Sequence, residues 1–117
     1  MSATALTKVT ALAYGVGVVD MSFQAVDQGN DNSFVNTPKT RLFVTRTGGA
    51  VVVTAKAIGP NKYTLNAAAT KALGTVADGK IGTFAFDPAI YGTTVTVGFD
   101  TGANVKAAVV DYEDTPL

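Results

Sequence analysis

The chain has 117 residues, nine basic and nine acidic side chains, and neither histidine nor cysteine. That length suits one domain, residues 1–117, with a core of its own; the balanced charge argues against a nucleic-acid partner, and no apolar run reaches the roughly 20 residues of a membrane-spanning helix. The missing His and Cys remove disulfides, imidazole and thiolate metal ligands, and the Ser-His and Cys-His nucleophilic pairs, so no cofactor is expected.

Threonine, valine, alanine and glycine dominate while glutamate occurs once, a composition that favours pleated, half-buried strands. The start, MSATALTKVT, lacks the apolar core of a signal peptide, so synthesis in the cytoplasm is expected. TALTKVTAL (residues 4–12) reads as a first strand ending before Tyr14-Gly15, and SFQAV (residues 22–26) as a short second one. DQGNDNSFVNTPKT (residues 27–40) collects turn-forming residues and reads as a long irregular connection anchored by Phe34 and Val35.

From residue 39 to residue 58 the pattern predicts a hairpin. TRLFVTR sets Leu42 and Val44 against Arg41, Phe43 and Thr45, a glycine pair turns the chain, and AVVVTAKAI alternates again. NAAATKALG (residues 66–74) is the one helix-like passage, with Asn66 as N-cap and Gly74 as stop. A turn at Asp78-Gly79, a strand around residues 83–86 and a stop at Pro88 follow. A second hairpin then joins TTVTVGFD to NVKAAVVDY through a TGA turn. Seven or eight short strands with at most one short helix predict an all-β, antiparallel sandwich of jelly-roll type.

The chemistry available to such a chain is sparse. Asp87 and Asp100 could form a glycosidase-like carboxylate pair, yet each stands where a turn residue is expected, before Pro88 and before Thr101-Gly102. DQGNDNS (residues 27–33) alternates oxygen ligands but lacks the glycine placement and terminal bidentate glutamate of a calcium loop, so no metal site is expected. The acidic end, DYEDTPL (residues 111–117), reads as a solvated tail or a docking arm for a basic neighbour. An enzyme is therefore not expected.

VADGKIGTFAFDPAIYG followed by TVTVGFDTGANVKAAVV resembles the C-terminal half of small tailed-bacteriophage proteins that decorate, or cement, the capsid. NTPKTRLFVTRTGGAVVVTAKA resembles the earlier hairpin of that group, so the likeness spans about residues 36–110. The sharpest piece is FDPAIYG; the departure is the alanine-rich NAAATKALG. The resemblance implies a β-sandwich virion protein, with no catalytic residue needed, that binds assembled major capsid protein on the capsid surface and stabilises the shell, as a trimer. The alternative is a carbohydrate- or receptor-binding sandwich of a tail fibre. For the contact surface, alternation along residues 39–58 selects Arg41, Phe43, Arg46 and Lys56, away from Leu42, Val44, Val51 and Val53, with Asn32, Phe34 and Asn36 of the adjoining segment 32–38.

Overall fold

The computed structural model describes residues 4–12, 22–58 and 69–113. Within them the chain forms strands β1 (Thr4–Ala5), β2 (Lys8–Leu12), β3 (Gln24–Ala25), β4 (Asn32–Val35), β5 (Thr40–Arg46), β6 (Val51–Ile58), β7 (Ala69–Val76) and β8 (Ile81–Ala85). A single helical turn, α1 (Pro88–Tyr91), precedes β9 (Thr94–Phe99) and β10 (Val105–Glu113).

The pairing has a simple rule. β3 pairs with β10, β4 with β9, β5 with β8 and β6 with β7, all antiparallel, which describes one long ribbon doubled back between β6 and β7. Rolling that ribbon brings β5 against β10 and β6 against β9. The products are sheet A, in the order β1-β4-β9-β6-β7, and sheet B, in the order β2-β10-β5-β8 with β3 also on β10. This is the jelly-roll wrap, so the all-β sandwich expected from composition is the fold. Its strands number ten among the described residues, and the two added at the N-terminus run parallel: β1 to β4 and β2 to β10.

Period-two alternation fills the space between the sheets. Leu42 and Val44 of β5, Val51, Val53 and Ala55 of β6, Val95, Val97 and Phe99 of β9, and Val105, Ala107 and Val109 of β10 are all buried in one cluster. Fully burying a valine or leucine contributes about 1.5–3 kcal/mol relative to exposure, and the chain depends on many such small contributions.

Both expected hairpins are corrected by this topology. β5 lies in sheet B and β6 in sheet A, and β9 and β10 are likewise divided, so the two glycine turns carry the chain across the sandwich. Alternation cannot distinguish the cases: two strands whose apolar faces look the same way in one sheet show the same pattern as two whose apolar faces look at each other. The expected helix at residues 66–74 is also overturned where it is described, because Ala69–Val76 is an edge strand paired with β6. Local alanine propensity yields there to an available strand partner. Residues 66–68 lie outside the described residues, as does the end of the first strand at Tyr14-Gly15.

The N-terminal reading changes as well. Residues 4–12 form two strands, and Gln24 marks the break by accepting from Thr7 N at 3.1 Å and donating to Thr7 O at 3.0 Å. Leu6 at the crossing is buried in the core. The expected irregular connection of residues 27–40 contains β4, whose Asn32 and Phe34 face inward.

Three crossings meet at one end of the sandwich and are tied together. Arg46 donates from Nε to Ala103 O at 3.0 Å and from Nη1 to Ala50 O, while Gly48 N donates to Asp78 Oδ1 at 2.9 Å and Gly79 N to Arg46 O at 2.9 Å. Gly49 sits under the guanidinium: a Cβ there would lie 2.8 Å from Arg46 Nη1. The turn favours glycine there for its φ of 156°, and a side chain would displace the Arg46 guanidinium from Ala50 O.

The seam between β7 and β8 sets a sharper steric limit. A Cβ on Gly82 would lie 2.6 Å from Val76 Cγ2 and 3.1 Å from Phe84 Cε2. Overpacking a filled core costs about 1–3 kcal/mol, so Gly82→Ala is expected to lower unfolding free energy by about that amount in urea melts. A variant as stable as the parent would show that Val76 is not held against this seam.

Candidate functional site

The sandwich has two outer faces of different chemistry. On sheet A, Ser33, Thr54, Thr75, Thr94 and Thr96 occupy outward positions among Val35 and Val52. Its cation, Lys56, is closed by Asp31, with Nζ 3.0 Å from Oδ1. That pair lies over Gly98, where a Cβ would be 2.6 Å from Lys56 Cε.

On sheet B the outward positions are Arg41, Phe43 and Thr45 of β5, Ile81, Thr83 and Ala85 of β8, and Lys106, Ala108, Val110 and Tyr112 of β10. No carboxylate occurs among them. Arg41, Phe43 and Thr45 are half-buried, Lys106, Thr83 and Ala85 are exposed, and Ile81 is 59% exposed, whereas Ala108 and Val110, the β10 partners of Phe43 and Arg41, are buried, so the open part of this face lies over β5 and β8 and at Lys106. Arg41 is held in place by Nη1, which donates to Pro38 O at 3.1 Å and Thr40 O at 2.9 Å.

Two hollows flank Phe43 on this side. One, of about 300 Å³, is lined by Pro38, Arg41, Ala85, Phe86, Asp87 and Pro88. The other, of about 250 Å³, is lined by Thr45, Thr47, Asn104 and Lys106. Arg41 is the cross-strand partner of Ala85, Phe43 of Ala108, and Thr45 of Lys106, so the three features follow one another along β5.

The residues selected from the sequence as a contact surface are dispersed by the fold. Arg41 and Phe43 share the outer face of sheet B. Lys56 lies on the opposite outer face, and Arg46 is spent on the crossing turns. Asn32, Phe34 and Asn36 are 0%, 4% and 3% exposed, so they face the interior and present no side chain to a partner. The reason is the crossing between β5 and β6: residues that would share a face in a hairpin point to opposite sides of the molecule when the strands belong to opposed sheets.

The interior asparagines instead close loops. Asn32 accepts from Asp27 N at 2.9 Å and donates to Asp27 O at 3.0 Å. Asn36 donates to Phe86 O at 3.0 Å and Gly92 O at 3.1 Å, gripping both ends of α1. Asp87 caps that turn by accepting from Ala89 N at 2.9 Å, Pro88 takes its first position, and Gly92 closes it at φ 85°. Phe86 packs between Phe34 and Tyr91, with ring centroids 5.7 and 5.1 Å away. Every part of FDPAIYG thus has a structural task.

The carboxylates are similarly engaged. Asp100 Oδ1 accepts from Val52 N at 2.9 Å, at the opposite end of the six-residue β9 from Asp87. At about 3.3 Å per residue β9 separates them by some 20 Å, beyond the roughly 5–9.5 Å of glycosidase pairs. Among the described residues no group of three acidic side chains gathers as a metal site.

Comparison with known protein families, curated proteins and solved structures finds no match to this chain. The outer face of sheet B is therefore judged on its own geometry.

Asp27 offers a test of the polar loop. Its carboxyl is held below the ordinary aspartate range first by the Thr4 hydroxyl, then by the Asn30 side chain and the backbone N–H of Asn30, with Gly29 N adding to them against the opposing effect of desolvation. A depressed folded pKa means that the unfolded chain binds more protons, so this contribution is complete above the ordinary aspartate range and is lost as pH falls through the depressed value. The difference in melting temperature between the parent and Asp27→Ala is expected to be constant near neutrality and to shrink in strong acid. Because both Asp27 oxygens already accept from the loop and from Thr4, millimolar calcium is expected to leave the melting temperature unchanged; a rise of several degrees, abolished by Asp27→Ala, would identify a cation site.

Proposed function

We propose that this chain is a structural virion protein that binds the outside of an assembled bacteriophage capsid and stabilises it, docking through the outer face of sheet B. One observation carries the choice of face. Arg41 stands there without an ion-pair partner among the described residues, next to the partly exposed Phe43, whereas Lys56 on the other outer face is closed by Asp31. Arginine and aromatic side chains are enriched at interface cores, where charge without a partner is otherwise rare.

The resemblance of residues 36–110 to capsid-cementing proteins supports the reading, and the jelly-roll sandwich is a fold that suits it. The role needs no catalytic group. A module that binds the assembled lattice and not its dissociated parts stabilises the lattice by mass action. Major capsid protein is the proposed partner, the capsid surface the proposed location, and a trimer the proposed form, since repeated modest contacts combine into high avidity on a symmetric shell.

Co-sedimentation with phage capsids tests this. Arg41→Ala with Phe43→Ala is expected to abolish binding while circular dichroism and the melt remain those of a folded domain; Lys56→Ala is expected to bind as the parent does. Wild-type occupancy by the double variant would place the contact on another face. Light scattering of the purified chain is expected to return the mass of a trimer, and a monomer both in solution and on particles would remove that part of the proposal.

A further inference from the structure

We infer that the outer face of sheet B receives an acidic protein segment, extended along β5, with two carboxylates about 13 Å apart on either side of an apolar side chain. The inference rests on the docking role proposed for this face and adds the chemistry of what docks. The spacing is that of the backbone: Arg41 lies four residues along β5 from Thr45, the cross-strand partner of Lys106, and a strand rises about 3.3 Å per residue.

Arg41 is the first anchor. A guanidinium carries five N–H donors, and both hydrogens of Nη1 are directed to Pro38 O and Thr40 O. Nε and Nη2 have no acceptor among the described residues, and together they form the fork that binds a carboxylate through two parallel hydrogen bonds. The backbone contacts hold that fork in place before anything binds, so little side-chain entropy remains to be lost. Asp87 also lines this hollow, but it makes no ion pair with Arg41, and its Oδ1 accepts from Ala89 N.

Lys106 is the second anchor. It is exposed, has no acidic partner among the described residues, and shares its hollow with the Thr45 and Thr47 hydroxyls and the Asn104 amide. Ammonium, hydroxyl and amide together supply donors for a second carboxylate. Phe43 lies between the hollows and offers the apolar contact. The outward positions of β5, β8 and β10 carry no acid that could already neutralise these cations.

Acidic protein fits better than nucleic acid. Phosphate binding draws on many cations along a backbone track, whereas the outward positions of β5, β8 and β10 carry two among the described residues, separated by an aromatic ring and set in a chain of net charge zero. Asp87 at the rim would repel a continuous polyanion and tolerates one carboxylate directed at the Arg41 fork.

The test uses the full chain and three probes: a labelled peptide with the core Glu-Thr-Leu-Thr-Glu, its counterpart Lys-Thr-Leu-Thr-Lys, and a thymidine oligonucleotide. The acidic peptide is expected to shift the amide resonances around Arg41, Phe43 and Lys106, and to bind about tenfold more weakly as salt rises from about 0.05 to 0.5 M. Arg41→Glu with Lys106→Glu is expected to invert the preference toward the lysine peptide. Equal binding of the two peptides, shifts confined to another face, or stronger binding of the oligonucleotide would each overturn the inference. So would self-association of the wild type that the charge-reversed variant loses, since it would assign the face to a second copy. Capsid co-sedimentation separates the two readings: retention by the charge-reversed variant defeats this inference and leaves the decoration role standing, whereas acidic-peptide binding by a wild-type chain that ignores capsids does the reverse.

Discussion

The structure depends on the crossing of the chain between its two sheets. Apart from the step between β6 and β7 and the step between β2 and β3, each strand is followed by one in the opposed sheet, so the apolar side of a strand is covered by its sequence neighbour while its hydrogen bonds go to strands far away. Such pairing closes large loops before any ladder forms, an entropic cost that only the completed roll repays. The crossings must then be held at fixed geometry. At one end Arg46 and Asp78 bind the three crossings to one another; near the other, Asn36 and the capped turn α1 join β4 to the passage from β8 to β9. Polar side chains are used at the ends because backbone groups there leave the ladders and need other partners.

What could be read from the sequence follows the same division. Strand positions and inward residues were legible, since alternation reports burial directly: Leu42, Val44, Val51 and Val53 are all fully buried as their spacing requires. Partner choice was not legible. The glycine turns at residues 47–49 and 101–103 satisfy a hairpin and a crossing alike, and the difference lies in strands dozens of residues away. Asn32 and Asn36 show the limit from another side. Turn-rich composition places them in a loop, whereas buried amides answering backbone groups of residues 27, 86 and 92 are non-local facts. The contact set split for this reason too, because its geometry assumed the hairpin.

FDPAIYG illustrates how a distinctive stretch can be structural. An aspartate before proline is the start of a capped helical turn, a glycine four residues after the proline is its end, and the aromatics on either side secure it to the core. A resemblance centred on this stretch therefore speaks first to the shape of the roll. Arg41 differs in kind. Its Nη1 contacts steady the side chain, yet the acceptor Pro38 O lies on an exposed residue where water can replace the guanidinium.

That contrast separates the two outer faces. Burying a charge is costly unless it is paired, and in this molecule Lys8 is paired with Asp111 and Lys56 with Asp31 at 3.1 and 3.0 Å. Arg41 and Lys106, like Arg46, Lys71 and Lys80, have no ion pair among the described residues, and these two stand on a face where the aromatic Phe43 is partly exposed. A partner supplying carboxylates and covering the ring would complete pairs that the folded chain leaves open, without asking any strand to move. Docking of this kind asks nothing of the crossings, and β5 is paired on both edges, with β10 and β8, so the ladders of sheet B set the backbone spacing of the two anchors.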